Sequence, residues 1–277
     1  MPTDSPKKTA IAIAAHPDDI EFLMSGTLML LRKAGYKIHY WNLANGCCGS
    51  SKYDAETIAK IRREEAAAAA KAIGAVFHES ICNDLEIFYD RLTLAKVASV
   101  IRDVAPEIVL THSPVDYMED HTNTCRLAVT AAFARGMPNF ITDPPRPAVS
   151  GQVTVYHAQP YSHRDPFGKL IEPVLVVDTT DLIDLKKKML SKHASQKQWL
   201  DESQGLNSYL DTMTSSMLKS AACLRSSNTP KAGVATSISA SVVPRKIPFT
   251  PHSKSEFSWP RKRAIECHAS CKTPIWA

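Results

Sequence analysis

The stretch TAIAIAAHPDD, residues 9–19, decides the fold that we expect for this chain. Its first part, Thr9–Ala15, is short and almost entirely apolar, which is typical of a strand buried on both faces of a parallel sheet. A proline and two acidic residues then follow His16, and these residues favour the first turn of a helix, where the helix dipole stabilises negative charge. The sequence therefore predicts that a strand, a turn and a helix over residues 20–34 meet at His16–Asp19.

Strands and helices alternate along the rest of the chain. The further predicted strands are Lys37–Ala44, Val76–Glu79, Glu107–Thr111, Val153–Ala158 and Pro173–Val177, and the further helices are Ala55–Ile73, Leu92–Val104, Thr122–Arg135, Asp181–Leu200 and Leu206–Leu218. This alternation predicts an α/β fold with a doubly wound, mostly parallel sheet flanked by helices. Ligand sites in such folds lie beyond the carboxyl ends of the strands. The loops His16–Asp19 and His112–His121 are expected at that edge.

The charge of the chain is unevenly distributed. The 277 residues carry a formal net charge of +5, from 33 Lys and Arg against 28 Asp and Glu. Residues 222–277 hold nine of the bases and two of the acids, so 24 bases and 26 acids precede them, and residues 1–221 carry −2. We therefore predict a folded domain over residues 1–221, followed by a basic Pro/Ser-rich tail that is disordered or, after a frame change near Ala222, non-native. Because the tail has few aromatic residues, we expect no nucleic-acid partner.

The remaining compositional features point to a cytoplasmic protein. The apolar stretches fall short of the roughly 20 residues that a spanning helix needs, and no signal-peptide cleavage site follows the first of them. Of the seven cysteines, Cys47 and Cys48 are adjacent and cannot easily chelate one metal together. Cys267 and Cys271 are four residues apart, without a second matching pair. We therefore expect free thiols rather than a zinc finger.

Three polar residues at the predicted strand ends form a candidate metal site. His16 and Asp19 can aim at one point above the sheet, and His121 can join them from the second loop. Two imidazoles and a carboxylate with an open fourth position are the ligands of a hydrolytic zinc ion, which lowers the pKa of water to about 7. Asp18 would then stand beside the water as general base. The alternative is that these acids only begin a helix and that His121 lies at the surface.

Four stretches of this sequence resemble those of the PIG-L/LmbE-type zinc-dependent de-N-acetylases. They are AHPDD at residues 15–19 with Glu21 following, Gly26, RREEAAAAAKAIG at residues 62–74, and SPVDYMEDH at residues 113–121. The resemblance extends from about Thr9 to about Ser220. It implies a Rossmann-like hydrolase that removes the acetyl group from an N-acetylglucosamine-type sugar or conjugate. It also implies a homo-oligomer, a trimer or a hexamer.

The resemblance assigns roles to individual residues. It implies that zinc, or another divalent metal, is held by His16, Asp19 and His121, and that Asp18 takes a proton from the attacking water and later gives it to the leaving amine. It further implies that Arg62 and Asp84 bind the substrate. Asp120 has two interpretations, since it can orient an imidazole on the metal or cap the following helix. Asp116 is expected to support the loop.

One departure from the family pattern concerns the mechanism. Where the family has a histidine that stabilises the tetrahedral oxyanion, this chain has Met118, and a thioether cannot donate a hydrogen bond. Losing such a donor costs roughly 100-fold to 1,000-fold in rate. Replacement donors are Tyr117, His157 and His163, of which we favour His163 as a catalytic residue.

Two alternative functions remain open at this point. The enzyme could cleave another amide, such as that of a thiol-sugar conjugate, and the Met118 departure leaves room for this. The chain could instead be a non-catalytic sugar- or nucleotide-binding module. Against the second alternative, no Gly-rich phosphate loop follows the first strand, and acidic residues there would repel a phosphate.

Overall fold

The main sheet of the protein has five parallel strands. The computed structural model describes residues 8–161, 163–204, 209–210, 212–215, 235–236 and 264–266. The strands of the main sheet are β1 (Thr9–Ala14), β2 (Lys37–Asn42), β3 (Val76–His78), β4 (Ile108–Thr111) and β5 (Thr154–His157). They lie in the order β3-β2-β1-β4-β5, and every neighbouring pair is parallel. The predicted α/β fold with a mostly parallel sheet is confirmed.

Seven helices connect or follow these strands in the described part of the chain. They are α1 (Asp19–Leu23), α2 (Ser25–Lys33), α3 (Ala55–Ala72), α4 (Arg91–Val104), α5 (Glu119–Ala134), α6 (Ile183–Leu190) and α7 (Ala194–Gln204), with a 3-10 turn at Thr180–Leu182. Residues 209–210 and 212–215, within the predicted helix Leu206–Leu218, are also helical. The other residues of that prediction lie outside the described part.

The central strand β1 is apolar from Ala10 to Ala14, where helices cover both faces of the sheet. Ala10, Ala12 and Ala14 face a cluster that includes buried residues of α1, α2 and α3. Ile11 and Ile13 face the other cluster, which contains buried residues of α4 and α5. All five side chains are fully buried. Alternate side chains of this one strand thus contribute to two hydrophobic layers, one on each face of the sheet, and the polar residue Thr9 stands at its start.

Three helices differ from the prediction. The helix predicted over residues 20–34 is broken at Met24, where the Ser25 hydroxyl donates to the Glu21 carbonyl oxygen at 2.9 Å and competes with the helical hydrogen bonds. The helix predicted over Asp181–Leu200 is broken between α6 and α7. Helix α5 begins at Glu119, three residues before its predicted start, so that His121 lies in its first turn rather than in a loop.

The last predicted strand lies outside the main sheet. Strand β6 (Leu175–Asp178) is the middle strand of a small antiparallel sheet, paired with β7 (Ala235–Thr236) and β8 (Ala264–Glu266). It begins two residues after Pro173, which has no N–H for a ladder. Strands β7 and β8 belong to the segment that we predict as a tail, and the rest of that segment lies outside the described residues. The division at residue 221 therefore stays a prediction.

The topology places the candidate site at the centre of the carboxyl edge. Strand β1 lies between β2 and β4, so the strand order reverses between β1 and β4. Ligands of doubly wound sheets bind at this kind of crevice. The segments after β1 and β4 carry the His16–Asp19 turn and the loop that leads to His121. None of the helices in the described part of the chain has the length and apolar character that crossing a bilayer requires.

A matched pair of leucine substitutions tests the packing of the helical layer on the sheet. Leu28 of α2 is fully buried, whereas Leu92 of α4 is 74% exposed. Leu28→Ala is expected to lower the free energy of unfolding by about 2–5 kcal/mol, because it leaves a cavity against the sheet. Leu92→Ala is expected to change it by less than about 0.5 kcal/mol. Urea denaturation measures both, and equal losses would contradict this assignment of the core.

Candidate active site

The three predicted metal ligands converge at the carboxyl edge of the sheet. His16 follows β1, Asp19 is the first residue of α1, and His121 lies in the first turn of α5. Asp19 Oδ2 is 3.5 Å from His16 Nδ1 and 3.4 Å from His121 Nε2. The backbone N–H of His16 donates to the same carboxylate oxygen at 2.7 Å. These contacts bring ligand atoms from two distant segments into one group.

The geometry of this group fits a divalent cation. Two ligand atoms that each lie about 2.1 Å from a tetrahedral zinc ion are roughly 3.4 Å apart, close to the separations in the structure. His121 Nε2 is buried and makes no well-formed hydrogen bond among the described residues, as expected of a nitrogen whose lone pair is reserved for a metal. The donor set of two imidazoles and one carboxylate suits zinc.

Two further carboxylates orient the imidazoles. Asp120 Oδ2 contacts His16 Nε2 at 2.9 Å and also accepts from the Leu85 N–H at 2.7 Å. Asp116 Oδ2 contacts His121 Nδ1 at 3.1 Å. Such partners fix the tautomer and the ring orientation of metal-binding histidines. Of the two interpretations of Asp120, the contacts favour orientation of an imidazole, since the residue that begins α5 as its N-cap is Met118.

The electrostatics of the site favour positive charge at its centre. Burial lowers the pKa of His16, but the hydrogen bonds with Asp120 and Asp19 outweigh burial and raise it to about 9. Burial also lowers the pKa of His121, and Asp19 and Asp116 raise it to about 10. Burial raises the pKa of Asp19, yet the neighbouring His121 and His112 hold it well below its usual range. Protons or a cation can supply the positive charge that these carboxylates require.

Asp18 lies beside the three ligands and is held by two other residues. It is buried, and its backbone φ of 112° lies in the left-handed region that side chains rarely adopt. The Tyr209 hydroxyl donates to Asp18 Oδ2 at 2.5 Å, and Arg62 Nη2 lies 3.8 Å from Oδ1. Burial raises the pKa of Asp18 to about 6, although Arg62 opposes this shift. A carboxylate with this pKa is suited to general base catalysis near neutral pH.

The two predicted substrate-binding residues make contacts within the protein. Arg62 is buried, donates from Nη2 to the Pro17 carbonyl oxygen, and has no well-formed hydrogen bond at Nε among the described residues. The carboxylate of Asp84 accepts from the backbone N–H groups of Gly46, at 2.7 Å, and Cys48, at 2.9 Å. Their substrate contacts stay predictions.

The candidates for the missing oxyanion donor lie in different surroundings. Tyr117 is 61% exposed and its ring lies edge-on to His121, with the centroids 6.4 Å apart. His157 Nδ1 lies 2.9 Å from the His112 carbonyl oxygen, so this nitrogen serves as a donor within the protein. His163 is buried, with φ of 58°, and its backbone bonds Pro160 and Ile171. The proposed catalytic role of His163 stays a prediction.

Two residues of the site were not predicted from the sequence. His112 is fully buried, stacks on His121 with ring centroids 3.9 Å apart, and places Nε2 3.4 Å from Asp19 Oδ2. That nitrogen accepts the Ala15 N–H at 2.9 Å, so its lone pair is occupied. The signal for His112 was its position directly after β4. The second residue is Tyr209, whose hydroxyl bonds Asp18, and no sequence pattern linked the two.

Comparison with known proteins identifies a family model and two relatives, a hydratase and a deacetylase. Residues 11–133 match the family model described as PIG-L: GlcNAc-PI de-N-acetylase. The 4-oxalmesaconate hydratase of Pseudomonas putida is 31% identical over 202 residues, which are 70% of this chain and 76% of that protein. The diacetylchitobiose deacetylase of Thermococcus kodakarensis is 26% identical over 195 residues, 68% of this chain and 70% of that protein.

A solved structure shares the fold. The crystal structure of a 4-carboxy-2-hydroxymuconate hydratase from Pseudomonas putida superposes with a TM-score of 0.68 at 24% identity, covering 90% of this chain and 100% of that chain. The family match falls on the segment that carries the site, and the 31% identity extends over most of both proteins. This chain therefore belongs to the PIG-L family of enzymes.

Proposed function

We propose that this protein is a zinc-dependent hydrolase that removes the acetyl group from an N-acetylated amino sugar or its conjugate. The observation that carries the proposal is the convergence of His16, Asp19 and His121 with Asp18 beside them. The similarity to a diacetylchitobiose deacetylase supports this substrate class. A trimeric or hexameric homo-oligomer and a cytoplasmic location are retained as expectations.

The mechanism assigns proton transfer to Asp18. His16, Asp19 and His121 would hold a divalent cation, whose positive charge would lower the pKa of water and polarise an acyl oxygen. Asp18 accepts a proton from the attacking water as a C–O bond forms at the acetyl carbon. It then donates this proton to the amide nitrogen as the C–N bond breaks, so acetate and a free amine leave.

The surrounding residues hold Asp18 in place for these two transfers. The Tyr209 hydroxyl fixes Oδ2, while Arg62 faces Oδ1 and partly offsets the charge. Oδ1 makes the longer contact and is the oxygen that we assign to the water. Asp116 and Asp120 keep the two imidazoles turned toward Asp19. Because these contacts precede substrate binding, the site needs little rearrangement during the reaction.

A second candidate function is the addition of water to a carbon–carbon double bond of an unsaturated carboxylic acid. Two observations favour it: the similarity to 4-oxalmesaconate hydratase, and Met118 at the place of the family's oxyanion donor. In a hydration, negative charge develops on the carbonyl or carboxylate conjugated with the double bond, which the cation can stabilise without a tetrahedral oxyanion. Asp18 would again accept a proton from the attacking water.

A substrate panel distinguishes the two candidates. Incubation with N-acetylglucosamine, diacetylchitobiose and N-acetylglucosaminyl conjugates is expected to release acetate and a primary amine in equal amounts, measured by amine derivatisation. Unsaturated dicarboxylic acids form the second arm, in which loss of ultraviolet absorbance reports hydration. The Asp18→Asn variant is the control in both arms. Hydration of the unsaturated acids without amine release from the N-acetyl substrates would refute the deacetylase function and support the hydratase function.

Substitution of the histidine ligands tests the metal centre. His16→Ala and His121→Ala are each expected to bind one equivalent of zinc less than the wild type and to lose at least about 100-fold in kcat/KM, because each removes one of three protein ligands. The matched control is His78→Ala, a half-buried histidine on β3 that contacts His39. It is expected to keep its zinc. Elemental analysis of the purified proteins measures this, and full zinc occupancy in His16→Ala would refute the ligand set.

Removal of the Tyr209 hydroxyl tests its positioning role. Tyr209→Phe is expected to lower kcat about 10-fold to 100-fold, since a hydrogen bond to a charged group contributes about 1.5–3 kcal/mol, while KM and zinc content change little. In an Asp18→Asn background the same substitution is expected to change kcat less than about twofold. The exposed Tyr53 provides the control, Tyr53→Phe. An undiminished loss in the Asp18→Asn background would show that Tyr209 does not act through Asp18.

A further inference from the structure

The loop after β2 holds two thiols next to a buried carboxylate. Cys47 and Cys48 place their Sγ atoms 3.9 Å apart. Asp84, which follows β3 by six residues, is buried, and ligand atoms of all three residues lie within 4.8 Å of one another. This group shares no residue with the site at His16, Asp19 and His121. It is formed by two segments that the sheet topology brings together, since β2 and β3 are neighbours.

The sulfur spacing suits a single thiophilic cation. Two sulfurs that each lie about 2.3 Å from a tetrahedral zinc ion are roughly 3.8 Å apart, close to the observed 3.9 Å. The sequence predicts that these adjacent cysteines cannot easily chelate one metal together, but in the structure their Sγ atoms and an oxygen of Asp84 lie within 4.8 Å of one another. Asp84 accepts one N–H at each oxygen and keeps further lone pairs for a cation. We propose that Cys47, Cys48 and Asp84 form a second metal site, for zinc or a similar thiophilic divalent cation.

The site is accessible to an ion from solvent. Cys48 is exposed, and Cys47 lines a cavity of about 490 Å³ together with Asn45 and Asn83. Three protein ligands leave one tetrahedral position for water. Metal ions bind cysteine as the thiolate, so binding at this site would release thiol protons to solvent.

A cation here would fasten the loop that lies against Arg62. A Cβ built at Gly46 or Gly49 would come within 2.5 Å of Arg62 side-chain atoms, so the loop backbone packs directly on this side chain. The two N–H bonds to Asp84 hold the loop in the present structure. Bonds from one cation to both thiolates and to Asp84 would add to them. Binding to the folded state alone would also raise the melting temperature.

Metal titration of the full chain tests this site without reference to activity. The chelator-treated protein is titrated with Zn²⁺ by calorimetry and with Cd²⁺ by ultraviolet absorption, in which thiolate ligands give a charge-transfer band. We expect two equivalents of Zn²⁺ and the Cd²⁺ band in the wild type. Cys47→Ser/Cys48→Ser is expected to lose the band and to bind the second equivalent at least about tenfold more weakly. The Asp84→Asn variant is expected to keep the band at reduced affinity.

Two controls distinguish metal binding at Cys47 and Cys48 from binding by the thiols of residues 222–277 and from binding at the proposed catalytic centre. Cys223→Ser/Cys267→Ser/Cys271→Ser removes the thiols of residues 222–277 and is expected to leave the band unchanged. His16→Ala is expected to lose the other equivalent only, so failure of the proposed catalytic centre and failure of the thiol site give different results. A band that persists in Cys47→Ser/Cys48→Ser, a band that disappears in the triple variant, or a wild type that shows no band would each overturn the proposal.

Discussion

Buried negative charge at one edge of the sheet is the constraint on which the rest of this structure depends. A carboxylate removed from water must gain hydrogen bonds or a positive neighbour, or its burial costs several kcal/mol. The buried or nearly buried acids and their partners are Asp18 with Tyr209, Glu21 with Tyr40 and His193, Asp116 with His121, and Asp120 with His16. Asp19 faces two imidazoles whose outer nitrogens already contact other carboxylates. A divalent cation would balance this negative charge and would give His121 Nε2, which is buried without a well-formed hydrogen bond among the described residues, a partner.

The second half of the chain supplies two of these partners, His193 and Tyr209, and a further contact with α1. Helix α6 contributes Lys186, which is fully buried and donates to the Phe22 carbonyl oxygen at 3.3 Å. The break between α6 and α7 contributes His193, 3.1 Å from Glu21. Tyr209 reaches Asp18 across 191 residues of sequence. These residues lie beyond the family match at residues 11–133. Their contacts with α1 and with Asp18 stabilise the turn that carries Asp18 and Asp19.

The sequence predicts those parts of the site that local pattern and sheet topology determine. The apolar run at Thr9–Ala15 indicates a buried strand, and the carboxyl ends of parallel strands meet at one edge, which brings His16 and His121 together. The Asp18–Tyr209 contact is different, because it depends on how two distant helices pack and no local pattern encodes it. The break at Met24 likewise depends on one hydroxyl, that of Ser25, competing with the helical hydrogen bonds. The helix boundaries and the contacts between residues far apart in sequence could therefore be found only from the structure.

Met118 marks the point at which the chemistry of this chain departs from the family pattern. Hydrolysis of an amide passes through a tetrahedral oxyanion, and at this position the family pattern has an imidazole where Met118 has a thioether that cannot donate. In the proposed function, a cation and Asp18 would serve both reactions, whether water adds to a carbonyl carbon or to a conjugated double bond. The tetrahedral oxyanion forms only in the first reaction. Deacetylation by this site therefore requires that a neighbouring hydroxyl or imidazole, or a cation alone, stabilise the oxyanion, and the exposed Tyr117, whose ring lies 6.4 Å from that of His121, is one of the hydroxyls near the site.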